Sequence, residues 1–349
     1  MRYSNVHIDS VRYVLGPERV TTQSLEERLA PLYRRLGIPA GQIEAMTGIR
    51  ERRFWPTGFS VAEGGVQAAL AALEASSVPA EAIDVIVYGG VCREHYEPAT
   101  ACHVAGGLAE RGQHISPGAA IYDVGNACIG MLQGMVEVAN RIELGQARAG
   151  LVVGCESARE IVDTMTERML RAGDLRTYLS SAATLTGGSA ACAVLLTGRR
   201  WAPKDGRRRL LGGAFQTAPE HHNLCRWGLH EDGAAFMSTD SSAVLEHGVT
   251  LGKRTFDALL EEMGWASSDV DATVCHQIGS GHRSQVLPAL GLPPERDFVA
   301  YDLLGNAGSC ALPVALAMAD ESGFIQPGHR LGLLGIGSGL NCLMLGVKW

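Results

Sequence analysis

Two stretches of this chain repeat each other, and that repetition constrains the fold more than any other feature. The helical pattern Ala62–Ala75 runs through a turn at Ser76–Pro79 into an apolar strand pattern, AIDVIVYGG. The helical pattern Gly252–Met263 runs through a polar turn into DVDATVCHQ. The echo continues downstream, where AIYDVGNA (Ala120–Ala127) is matched by VAYDLLGNA (Val299–Ala307). Each copy leads into a helix, a Gly-containing turn and a Gly-rich apolar strand, LVVGCES and LGLLGIGSGLN. Helix followed by strand predicts parallel pairing, so the chain reads as one α/β half used twice. Its 349 residues exceed what a single core normally supports. We place the first half at residues 1–198, closed by the strand pattern Ala190–Gly198, and the second at residues 199–349.

Composition removes several classes of function. A net charge of -7 argues against nucleic acid or an anionic membrane as the main partner. The N-terminal stretch lacks the apolar core of a signal peptide, and no apolar run is long enough to span a bilayer, which predicts a soluble, cytoplasmic protein. Nine cysteines, scattered with no C-x-x-C pair, fit a reducing compartment and speak against a disulfide framework or a metal site.

Outside the repeat, Asn5–Val14 reads as a strand and Leu25–Leu36 as a helix capped by Thr22. The arginines of TGIRERRFW (Thr47–Trp55) fit an exposed basic turn better than a site for an anionic ligand. The connector Arg199–Leu210, with five arginines and Lys204, reads as a solvated surface turn. Residues 216–242 show little periodicity and read as an irregular excursion packed on the second half.

In open parallel sheets, ligands bind beyond the carboxyl ends of the strands. Four loops occupy such ends: VCREHYEPAT after the strand ending near Gly90, GNAC after Asp123, CHQIGSGH after Val274, and LLGNAGSC after Asp302. They carry Glu97, Cys128, His276 and Asn306, which a pseudo-twofold relation between the halves would bring to one pocket. Cys128 opens the helical pattern Ile129, Leu132, Met135, Val136 and Ala139. A thiol in a first helical turn faces unpaired N–H groups and the positive dipole end, which lowers its pKa from about 8.5 toward the 3.5–7.5 range. Singly, each residue has an ordinary explanation: a small buried cysteine, a hydrogen-bonded core histidine, a turn asparagine, an exposed loop glutamate. Their placement in matched loops is what favours a common site.

Taken together, TGIRERR, DVGNACIGM, VCHQ, GNAGS and GIGSGLN resemble the thiolase superfamily, and within it the ketoacyl synthase III branch, over essentially the whole chain. The resemblance implies a duplicated five-layer αβαβα fold, a homodimer, a cysteine acylated by a thioester, and His276 with Asn306 as an oxyanion site. Gly339 matches the position whose backbone N–H helps Cys128 hold the acyl oxygen. REHYEPATA and GIGSGLNC are most similar to the olefin-biosynthesis thiolases that join two fatty acyl-CoA molecules head to head. There a glutamate at the position of Glu97, delivered across the dimer interface, acts as base. The loop after His276 has GSG where the ketoacyl synthase III branch usually has an Asn. GNAGSC stands where many relatives have a hydroxyl-rich run, and both departures weaken a malonyl-carrier reading.

The chemistry is coherent. A cysteine nucleophile suits thioester exchange, and a condensation without decarboxylation needs a base of raised pKa, for which Glu97 is the candidate and Glu94 its rival. The expected reaction joins two acyl-CoA thioesters through an acyl-cysteine and gives a 2-alkyl-3-oxoalkanoic acid, with coenzyme A thioesters as substrates and no cofactor or metal. The alternative is a decarboxylative 3-oxoacyl-acyl carrier protein synthase III or a related acyl transferase, which would dock an acyl carrier protein and for which the acidic net charge gives little support. A non-catalytic partner subunit is the third reading, disfavoured because Cys, His and Asn are all retained.

Overall fold

The computed structural model describes residues 1–202, 208–229 and 235–349. Its strands are β1 (His7–Leu15), β2 (Glu18–Thr21), β3 (Glu51–Phe54), β4 (Ile83–Tyr88), β5 (Ala120–Asp123), β6 (Ala149–Glu156), β7 (Ala190–Thr197), β8 (Arg209–Thr217), β9 (Cys225–Leu229), β10 (Ala235–Thr239), β11 (Ala272–Cys275), β12 (Arg330–Gly337) and β13 (Asn341–Lys348). Nine of them form one sheet in the order β11-β12-β13-β8-β1-β7-β6-β4-β5. β4 runs parallel to β5 and β6, and β11 parallel to β12, as the helix-then-strand units predict. The pairs β6–β7, β7–β1, β12–β13 and β13–β8 are antiparallel. A single residue pair, His7 with Arg209, joins β1 to β8 in the middle.

Strand side chains alternate between two faces, and both faces are covered. Val85, Val87, Val152 and Val194 from strands of the first half, and Leu331, Leu333, Leu343 and Leu345 from strands of the second, share one core with the helices Gly130–Glu143 and Ala311–Glu321. The alternate residues Ile83, Ile86, Leu151 and Leu195 pack under the helices Val61–Glu74 and Thr100–Glu110. Leu334, Cys342 and Met344 pack with residues of the helices Ser241–Met263 and Ser280–Leu290. With the two halves of the sheet on either side of the shared core, the result is the five-layer thiolase-like arrangement, helix, half-sheet, helix, half-sheet, helix. Each fully buried leucine or valine contributes about 1.5–3 kcal/mol, and the central layer collects most of them.

Several local expectations are corrected. The first helix is Thr22–Leu36, and its cap is Thr21, whose hydroxyl accepts the Ser24 N–H at 3.1 Å. Thr22 is buried and its hydroxyl donates instead to the Ile49 carbonyl. The TGIRERRFW run is not a wholly exposed turn. It forms β3, and Arg52 is fully buried, donating to Thr22 Oγ1 (2.9 Å) and the Leu185 carbonyl (2.8 Å). The excursion contains a hairpin, β9 with β10, and β10 packs on the helices Arg159–Ala172 and Leu175–Ser181 of the first half rather than only on the second. Val299–Asp302 is not a strand: Tyr301–Leu304 is a one-turn helix, and the equivalent of β5 shrinks to a single bridge between Thr273 and Asp297. Residues 203–207, with Lys204, lie outside the described residues.

Candidate active site

Cys128 sits in a 3-10 turn, Ala127–Ile129, between β5 and the core helix Gly130–Glu143. Ala127 adopts a positive φ of 44°, so the chain turns sharply just before the thiol. Three contacts fix this turn. The Ile129 N–H bonds the Asn126 carbonyl at 3.0 Å, and Asn341 at the start of β13 donates to Asn126 Oδ1 at 2.9 Å. Gly337, at the end of β12, lies so close that a Cβ there would stand 3.3 Å from the Cys128 nitrogen. The turn Ser338–Leu340 that carries Gly339 follows directly, pinned by paired backbone bonds between Leu340 and Ala218. Gly339 itself has a φ of 138°, outside what a side-chain-bearing residue readily adopts.

The thiol does not have the lowered pKa expected of a helix N-terminus. It is pushed up to about 12, first by burial and then by unfavourable electrostatic interaction with the neighbouring Cys225 and Glu156 side chains. The helix proper begins two residues later, at Gly130, so the dipole does not outweigh desolvation.

His276 follows β11, and its backbone N–H bonds the Leu334 carbonyl of β12 at 2.9 Å. Its ring is buried, and Nδ1 has no hydrogen-bond partner. Burial, and then the neighbouring His282, lower its pKa to about 3, so the imidazole is neutral at physiological pH. Asn306 lies in the turn after Leu304, its backbone bonded to Thr186 (2.8 Å) and Gly188 (3.0 Å). Its Oδ1 accepts the Gly308 N–H at 3.1 Å, which leaves the amide NH2 free to point elsewhere. The following turn, Gly308–Cys310, packs directly on the Cys128 turn.

Glu97 is placed differently. Every residue from Arg93 to Pro98 is exposed, Tyr96 at 98%, and Glu97 makes no hydrogen bond or ion pair among the described residues. Among the described residues no apolar pocket encloses it within one chain. The ends of its loop are firmly held. Asp123 accepts the N–H groups of Thr100 (3.0 Å) and Ala101 (2.9 Å) and lies 3.5 Å from Arg93. The rival Glu94 is spoken for: despite some desolvation, hydrogen bonds from Ser60 and the Ala62 and Val61 N–H groups hold its pKa below the usual range.

Two polar residues not singled out from the sequence organise these loops. Gln277 donates to the Cys275 and Phe298 carbonyls (2.7 and 3.2 Å) and accepts the Ala300 and Tyr301 N–H groups (2.9 and 3.2 Å), tying the His276 loop to the segment that leads to Asn306. Glu156, the last residue of β6, is buried beside the Cys128 turn. A glutamate ending an otherwise apolar strand, and an amide directly after the candidate histidine, were the available signals.

Residues 260–349 match the family model described as 3-oxoacyl-[acyl-carrier-protein] synthase III C terminal. The chain is 48% identical over its full length to the acyl-CoA:acyl-CoA alkyltransferase of Shewanella oneidensis and 32% identical to that of Xanthomonas campestris, covering 100% of each. The crystal structure of a cysteine-to-alanine variant of Xanthomonas campestris OleA superposes with a TM-score of 0.93 at 32% identity, over 100% of this chain and 98% of that one. A full-length likeness at this level, with the same five-layer fold, settles the lineage: the chain belongs to the OleA family of acyl-CoA:acyl-CoA alkyltransferases, within the ketoacyl synthase III branch of the thiolase superfamily.

Proposed function

We propose that this protein condenses two acyl-CoA molecules head to head without decarboxylation. The observation that carries the reading is the packing of the Cys128 turn against both β12, which runs on to Gly339, and the turn that follows Asn306. In the first step Cys128 Sγ attacks the thioester carbonyl of one acyl-CoA. The bond from that carbonyl to the CoA sulfur breaks, and CoA leaves as the thiol with the cysteine proton. The N–H groups of Cys128 and Gly339 are the candidate donors to the oxyanion. In the second step Glu97 of the other protomer in a homodimer takes the α-proton of a second acyl-CoA. The neutral His276 ring and the Asn306 amide stabilise the enolate oxygen. The carbanion attacks the acyl-cysteine, a carbon–carbon bond forms, the carbonyl–sulfur bond breaks, and Cys128 leaves as the thiolate, which regains as a thiol the proton that Glu97 took. Water then cleaves the product thioester, giving CoA and a 2-alkyl-3-oxoalkanoic acid.

A Xanthomonas campestris OleA variant has been crystallised with lauric acid and lauroyl-CoA, which makes lauroyl-CoA a suitable probe. Incubated with lauroyl-CoA alone, this protein is expected to release 2-decyl-3-oxotetradecanoic acid, detected by mass spectrometry. Product that forms only when a malonyl-acyl carrier protein is added overturns the non-decarboxylative reading.

A further inference from the structure

A buried carboxylate is costly unless its oxygens are hydrogen-bonded. Glu156 is 3% exposed and receives four such bonds. Two come from the loop after β4, the N–H groups of Val91 (2.9 Å) and Cys92 (3.1 Å). Two come from Ser309, its N–H at 3.2 Å and its hydroxyl at 2.5 Å. No cation pairs with the carboxylate among the described residues. The Trp55 indole anchors the same residue by donating to its backbone carbonyl at 3.0 Å. Gly308 makes room for it: its φ is 53°, and a Cβ there would lie 3.0 Å from Glu156 Cδ.

The two groups of donors belong to different loops of the site. Val91 and Cys92 begin the loop that carries Glu97, whereas Ser309 closes the turn in which the Gly308 N–H holds Asn306 Oδ1. We propose that Glu156 is a positioning residue that fixes the Asn306 turn and the Glu97-bearing loop relative to each other, so that the enolate donor and the base meet the same substrate. The proposal rests on the reaction assigned above. It predicts that Glu156 matters more to carbon–carbon bond formation than to acylation of Cys128, because the thiol turn has anchors of its own in Asn126, Asn341 and Gly337, and loss of the Glu156 charge eases thiolate formation rather than hindering it.

The test uses the full-length protein and lauroyl-CoA. Glu156→Gln replaces one acceptor oxygen with an NH2 that faces N–H donors, which displaces one or both loops. Single-turnover acylation, read by intact mass, is expected to stay within about 3-fold of the parent, while condensation falls about 10²-fold, the scale set by misplacing a reacting group by an ångström. Ser309→Ala removes only the hydroxyl bond and serves if the glutamine variant does not fold. It is expected to shift the ratio of condensation to acylation in the same direction. A purely structural role lowers both steps in proportion, and that result, or a ratio equal to the parent's in a folded Glu156→Gln or Ser309→Ala protein, overturns the positioning role. A parent that neither acylates nor condenses with lauroyl-CoA overturns instead the reaction on which the role depends.

Discussion

Cys128 illustrates how one residue's position and its electrostatics can diverge. The sequence places it correctly after a strand and before a helix, but the chemistry inferred from that placement is reversed, since burial raises the thiol pKa to about 12. Helix-dipole reasoning needs only local sequence; desolvation depends on β12 and the turn after Asn306, which arrive from far along the chain. The raised value has a direct consequence. Iodoacetamide labelling of Cys128 should accelerate about tenfold per pH unit from pH 7 to 10, because only the thiolate reacts. A plateau near neutrality, read by mass spectrometry, would show a low-pKa thiol after all. His276 and His282 shift the other way, to about 3 and about 4, both chiefly through burial. The unfolded chain therefore binds protons first as pH drops below 6.5, so the stability these neutral rings permit is fully present above pH 6.5. It is lost as pH falls toward 4 and then 3. Urea midpoints should decline between pH 7 and 4.5, and His282→Gln should flatten that decline. An unchanged slope in the variant would show that His282 does not titrate in this way.

At the scale of elements, the helix and strand patterns of the repeat were legible because both faces of the sheet are buried and the apolar runs are long. The β9–β10 hairpin was not: its residues are all half-buried or exposed, so no hidden face marks the strands. Val299–Asp302 failed for another reason. The Gln277 amide takes the Ala300 and Tyr301 N–H groups that a strand would offer to its neighbour, and the chain coils into a helical turn. Arg52 was equally hidden, since its partners Thr22 and Leu185 lie far away in sequence. Of the candidate site, Cys128, His276 and Asn306 were singled out by their matched loops and Gly339 by the family resemblance alone, whereas Glu156 and Gln277 act through long-range bonds that no local pattern announces. One contact between elements is unusually tight. A Cβ on Gly130 would stand 2.1 Å from the Gly89 carbonyl oxygen, and one on Gly89 would stand 2.6 Å from that of Gly130. The core helix thus starts in direct backbone contact with the loop after β4. Gly130→Ala must push the two apart, and a loss of at least about 3 kcal/mol in chemical denaturation is expected. A variant as stable as the parent would mean that the approach is looser than described.

At the scale of the whole molecule, the exposure of Glu97 becomes informative. Its loop is clamped at both ends, by Asp123 and by Glu156, yet its centre projects from the chain beside β5, the edge strand of the sheet. An edge strand has unpaired backbone groups, and in the homodimer proposed above a protruding carboxylate suits delivery into the second copy's site. Mixing two inactive variants separates this arrangement from one in which Glu97 serves its own subunit. Glu97→Gln retains Cys128 but lacks the base, while Cys128→Ala retains the base but lacks the nucleophile. If the base crosses the interface, a heterodimer has one site that combines Cys128 of the first chain with Glu97 of the second, and one site that has neither. Random reassortment makes half of the dimers mixed, so condensation of lauroyl-CoA should recover to about one quarter of the parental rate although each variant alone is inactive. If Glu97 acts within its own chain, every site in every dimer lacks one of the two groups and mixing restores nothing. The measurement requires that the dimers exchange, which tagged copies of the two variants report by co-purification. Co-purified heterodimers that remain inactive would place the base in its own subunit, or elsewhere in the sequence.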